Sequence, residues 1–124
     1  MDPYINLDHI GFTVSNLDKS IEFYSKLLNK EPVMRRMYKE QYVAQVVGYD
    51  NVEMDCAFFN LPNNTILELI EYYEPYRGTV DMESYNVGNA HLCLVVENME
   101  KDVERIKDYV HMITDGIAIS EAGP

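Results

Sequence analysis

Two stretches of the chain carry the same succession of apolar and polar positions. In the first, residues Ile5 to Val14 include the alternating and apolar positions of a buried strand. Ser15 and Asn16 then offer side-chain oxygens for a helix N-cap, and Asp18 suits the first helical turn through the macrodipole. Leu17, Ile21, Tyr24 and Leu28 follow at the spacing of one helix face, and Asn29 and Pro32 close the segment. The second stretch, "NAHLCLVVENMEKDVERIKDYV", repeats this arrangement. His91 to Val96 predicts a strand, Asn98 the cap, and Met99, Val103, Ile106 and Val110 a helix face.

The letters agree as well as the pattern. At an offset of 82 residues, His9, Val14, Asn16, Lys19 and Glu22 recur as His91, Val96, Asn98, Lys101 and Glu104. Two copies are too few for a solenoid and point to a duplicated module with pseudo-twofold symmetry. Between them, "PVMRRMYKEQYVAQVVGY" is a mixed strand candidate with a turn within it or after Gly48. "MDCAFFNL" and "TILELIEYY" read as a hairpin, Met54–Leu61 with Thr65–Tyr72, joined by a tight "PNN" turn. The expected architecture is α+β, two βαβββ modules forming a cupped mixed sheet. Residues 1–73 make the first module, 74–88 a polar linker, and 89–124 a second module that is incomplete. After its helix, "TDGIAISEAGP" offers one short strand, and the counterpart of Glu68 falls beyond Pro124.

Composition narrows the function classes. An apolar fraction of 47% in 124 residues permits a real core. The net charge of −11 disfavours nucleic acid and anionic membrane surfaces as partners. Two cysteines, Cys56 and Cys93, make no disulfide framework, no signal pattern opens the chain, and no apolar run nears the ~20 residues of a membrane span. A cytoplasmic protein is expected.

The candidate chemistry lies on the strands. His9 and His91 occupy equivalent positions, which a pseudo-twofold axis would bring face to face if the strands lie near it. Glu68, in "ILELIEY", shares a strand face with Ile66 and Ile70, opposite Leu67 and Leu69. An acid among aliphatics needs a partner. Two imidazoles and a carboxylate suit a divalent transition metal. Elsewhere, Cys93 reads as inert packing and Glu71 and Glu74 as solvated strand-end acids. Tyr42, Tyr49, Tyr72 and Tyr73 read as core aromatics or pocket lining, and His111 as a surface residue. Arg35 and Arg36 point opposite ways on a strand, so at most one would meet an anionic substrate.

The segments "LDHIGFTVSNLDKSIEFYSKLL", "TILELIEY" and "NAHLCLVVENMEKDVERI" resemble the vicinal oxygen chelate superfamily, over essentially the whole chain. The bacterial glyoxalase I pattern is the most similar, and His9, Glu68 and His91 match its first three metal ligands. Its fourth, a glutamate on a final strand, has no counterpart before Pro124. The resemblance implies one divalent ion (Ni, Co, Zn or Mn) held by His9, Glu68 and His91. It also implies a small 2-oxo substrate processed by a lyase or isomerase through a stabilised enediolate, with Glu68 as catalytic base as well as ligand. A homodimer, with strands or modules exchanged, is expected. Methylmalonyl-CoA epimerase-like racemisation and a non-catalytic small-molecule-binding or resistance protein are the alternative functions.

Overall fold

The computed structural model describes residues 1–114 and 116–118. Contacts divide the chain into two units, Met1–Thr79 and Val80–Pro124.

The first unit is a four-stranded mixed sheet with helices on its two faces. Its elements are β1 (His9–Thr13), α1 (Leu17–Leu28), β2 (Met34–Tyr38), α2 (Gln41–Val47), β3 (Glu53–Asn60) and β4 (Ile66–Glu74). The strand order is β1-β4-β3-β2, with β1 parallel to β4 and the other neighbours antiparallel. The expected succession of four strands with a helix after the first, and the β3–β4 hairpin, are therefore present, with α2 inserted between β2 and β3. The hairpin turns through Asn63 and Asn64, both at positive φ (62° and 59°), a conformation asparagine tolerates better than most residues. Leu61 N–H donates to Thr65 O at 2.7 Å and closes it.

Helix α1 begins as the sequence predicts. Asn16 is extended, and its Oδ1 accepts from Lys19 N–H at 3.0 Å. Glu71, from β4, accepts the Leu17 N–H at 2.8 Å and so satisfies another orphan donor of the first turn. At the far end Asn29 adopts the left-handed conformation, φ 53°, and Lys30 N–H returns to Ser25 O at 3.1 Å. The helix covers the sheet face that carries Ala57, Phe59, Leu67 and Leu69. These four and Leu17 are fully buried. Tyr24 meets Phe59 with ring centroids 6.4 Å apart.

Glu71 corrects the sequence reading, which made it a solvated acid. It is only 6% exposed, because strand parity puts it on the face of Leu67 and Leu69. Asp55 lies opposite it in register and is also buried, and Arg35 bridges Asp55 (Nη2–Oδ2, 2.9 Å) to Asp18 at the start of α1 (2.7 Å). Arg35 is thus committed to the α1 side of the sheet.

Helix α2 falls where the sequence suggested mixed strand and turn. It packs on the opposite sheet face through Val43, Ala44 and Val47, against Met54, Cys56, Ile70 and Tyr72. Gly48, at φ 84°, ends it. Valine and tyrosine give this segment strand-like propensity, and tertiary packing on β3 overrides it. Tyr42, Tyr49 and Tyr73 are exposed rather than core, while half-buried Tyr72 meets Tyr49 edge-on at 6.3 Å.

The second unit, by itself, contains helix α3 (Met99–Ile106). Its N-cap repeats the first, with Asn98 extended and Oδ1 accepting from Lys101 N–H at 2.9 Å. The helix ends a turn earlier than the pattern to Val110 suggested. Residues 91–96, expected as a strand, are not one here. In the first unit the equivalent strand exists by pairing with β4, and the described residues of the second unit hold no such partner. Cys93 is exposed rather than packed, and His111 is exposed as expected. Most of the short strand suggested for "TDGIAISEAGP" lies outside the described residues. No helix among the described residues is long and apolar enough to cross a membrane.

Candidate functional site

The face of the sheet opposite α1 carries His9 and Glu68, and strand register maps it. Parallel pairing sets His9 beside Ile66 and Gly11 beside Glu68. Antiparallel pairing sets Phe58 on the other flank of Glu68, and Cys56 beside Ile70. Helix α2 roofs the Met54–Cys56–Tyr72 end of this face, leaving His9 and Glu68 outside the apolar cluster it forms. Gly11 matters to this arrangement. A Cβ at that position would stand 3.5 Å from Glu68 Oε1, so the carboxylate leans over the strand where no side chain rises.

Two of the three residues expected to bind metal are brought together. Burial raises the Glu68 pKa above its ordinary value, and the nearby His9 imidazole pulls it part of the way back. His9 is half-exposed, and its Nδ1 lies 2.7 Å from Asp8 Oδ2. His91 belongs to the second unit, where it is exposed. Among the described residues, no group of three or more His, Cys, Asp or Glu side chains is arranged to hold a metal ion.

The neighbours of Glu68 are weakly acidic groups. The Cys56 thiol is pushed up to about 12, first by burial and then by the charges of Glu68 and Asp55. It is a packed thiol and not a thiolate donor. Tyr72 is raised by burial, with smaller contributions from Tyr49, Cys56 and Glu68. On the edge strand, Arg36 sits on the same face as Cys56, pairs with Glu40 and lies 4.6 Å over the Tyr38 ring. Of the two arginines, it is the one on the open face.

The sequence reading passed over two contributors to this site. Asp8 was signalled only by standing next to His9. Helix α2 was signalled by Val43, Ala44 and Val47 at helical spacing before a glycine stop. The second unit has an open groove of about 380 Å³ lined by Val96, Glu97, Asn98, Lys101, Asp102 and Arg105. Asn98 is spent on its cap and Arg105 pairs with Asp102 at 2.8 Å, so this is a solvated helix shoulder.

Known proteins share this frame. Residues 8–123 match the family model of the Glyoxalase/Bleomycin resistance protein/Dioxygenase superfamily. A lactoylglutathione lyase of Neisseria meningitidis serogroup A is 31% identical over 123 residues, covering 97% of this chain and 74% of that protein. A trivalent organoarsenical cleaving enzyme of a Bacillus species is 68% identical over a short run of 25 residues, 20% of this chain and 16% of that enzyme. Among solved structures, a glyoxalase family protein of Bacillus cereus has the same fold, with a TM-score of 0.76 at 16% identity over 96% of this chain and 82% of that one. The repeat, the βαβββ order and a family match across nearly the whole sequence agree, and the chain belongs to the glyoxalase/bleomycin resistance/dioxygenase superfamily, the vicinal oxygen chelate proteins.

Proposed function

We propose that this protein is a metal-dependent, glyoxalase-like lyase or isomerase acting on a small substrate with vicinal oxygens, with His9, Glu68 and His91 as the protein's metal donors. The observation that carries the reading is the convergence of His9 and Glu68 on the part of the sheet face outside the α2 cluster. The donors suit the ion. Imidazole nitrogen and carboxylate oxygen accept Ni²⁺, Co²⁺, Zn²⁺ or Mn²⁺, and the Asp8 contact occupies Nδ1 of His9 and leaves Nε2 open. His91 joins them on the strength of the repeat.

A divalent ion held there supplies Lewis-acid polarisation of the substrate's oxygens. The chain's own residues do the rest. Glu68 takes the proton from the substrate carbon and returns it. Ile66 beside His9 and Phe58 beside Glu68 give the reacting end an apolar border. Likeness to a lactoylglutathione lyase makes the adduct of methylglyoxal with glutathione the first substrate to test. In the same reading, residues 1–73 and 89–124 are the two repeats and the protein is a homodimer.

The test is calorimetric titration with Ni²⁺ and with Zn²⁺ of this chain, of His91→Ala and of Glu68→Ala, alongside turnover of the methylglyoxal–glutathione adduct. Tight binding of about one ion per chain, lost in both variants together with turnover, is expected. Binding no tighter than that of the variants would refute the site. Binding without turnover would leave the donors standing and remove the enzyme. Sedimentation with and without the ion checks the dimer.

A further inference from the structure

The residue before each histidine breaks the repeat. Asp8 precedes His9, whereas its counterpart before His91 is Ala90. Asp8 is anchored by its backbone, because Ile66 N–H donates to Asp8 O at 3.0 Å just before β1 and β4 begin to pair. Its side chain then reaches the His9 ring, Oδ2 to Nδ1 at 2.7 Å. An ionised carboxylate only accepts, so the proton of this contact sits on His9 Nδ1. A neutral ring held this way presents its lone pair at Nε2. Free neutral imidazoles of histidine favour the opposite tautomer. No side-chain hydrogen bond is made by His91 among the described residues, and its ring is exposed.

We propose that Asp8 is a positioning residue that fixes His9 in the Nδ1–H tautomer with Nε2 open for coordination, and that His91 has no such partner, so the two histidines are unequal donors. The energetic demand is small. A fivefold change in tautomer ratio corresponds to about 1 kcal/mol, within reach of a solvent-exposed ion-pair hydrogen bond of this kind. The repeat duplicated the ligand but not its support. The metal arm of the test rests on the site proposed above, and the tautomer arm does not.

The experiment is long-range ¹H–¹⁵N NMR on the metal-free full chain above pH 8, for the wild type, Asp8→Ala and Asp8→Glu. His9 is expected as Nδ1–H and His91 as mainly Nε2–H. Asp8→Ala should move the His9 ratio about fivefold toward Nε2–H, Asp8→Glu should restore it, and His91 should not change. The Asp8 side chain lies in solvent and its backbone bond survives substitution, so an unchanged amide spectrum certifies the fold. With Zn²⁺ as the probe, Asp8→Ala should bind roughly tenfold more weakly. Finding His9 as Nε2–H in the wild type, or unmoved in Asp8→Ala, overturns the proposal even if Zn²⁺ binds. A tautomer switch without Zn²⁺ binding sustains it and overturns the metal reading instead.

Discussion

The helices α1 and α3 start the same way and are supported differently. Asn16 and Asn98 adopt nearly the same backbone angles, −149°/103° and −140°/105°, and each accepts the N–H three residues on. Beyond the cap they diverge. Leu17 is buried against β3 and β4 and Glu71 adds a second capping bond, whereas the equivalent Met99 is 48% exposed and no residue of α3 is fully buried. The comparison separates local from tertiary causes. A cap needs four or five residues and recurs wherever the letters recur. A buried helix face, and the strand before it, need a sheet that the letters do not contain.

The largest test of that difference is a matched pair. Leu17→Ala should destabilise the protein by about 2–5 kcal/mol, while Met99→Ala should cost under about 1 kcal/mol, both read from urea unfolding midpoints. Equal costs would show that α3 is as firmly packed as α1. Thiol labelling compares the units without substitution. Cys93 is exposed, and Cys56 is buried with its pKa near 12, so Cys93 should react at least about 100-fold faster at pH 8. Comparable rates would mean that the face under α2 opens readily.

The caps should respond alike where the packing does not. Asn16→Ala and Asn98→Ala should each cost about 1 kcal/mol locally, seen as roughly fivefold faster amide exchange at Lys19 and Lys101. A change at one site alone would mean that the cap depends on its surroundings after all. The smallest effect concerns Glu68. Its raised pKa means that the folded, metal-free protein holds this proton more tightly than the unfolded chain does, so its contribution is fully present below pH 4.5 and is lost as pH rises through the folded value. Glu68→Gln should therefore raise the Tm of the metal-free protein by about 2 °C at pH 7, and the gain should vanish at pH 4. A lower Tm at pH 7 would mean that the carboxylate is stabilised by a partner in the fold.

What could be read from the letters follows the same division. The capped helices, the hairpin and the facing of Glu68 with Ile70 rest on periods of a few residues and were legible. Helix α2 was marked only by the spacing of Val43, Ala44 and Val47 and by the Gly48 stop, a weak signal because Glu40 makes no side-chain cap and the valines favour strand, and packing on Met54 and Cys56 decides it. Glu71 reads as a solvated acid from its place near the end of a strand, although Leu67 and Leu69 already mark its face. The strand at residues 91–96 was over-read, since a strand is a pair and only one member was in view. For the site, His9 and Glu68 were legible as candidate residue types, within a set of three that paired His9 with His91. The Asp8 contact was not, because nothing in a sequence says which way a ring nitrogen turns.

The parallel seam between β1 and β4 also bears on how the chain is assembled. The β3–β4 hairpin closes through a short turn and α1 is complete within its own sequence, but His9 meets its neighbour Ile66 only after everything between them has been made and arranged. Closing that long loop is the costliest entropic step of the first unit and belongs late in folding. During synthesis on the ribosome, then, the emerging chain carries His9 long before it carries the strand that places Glu68 beside it, and the two come together only as the seam closes.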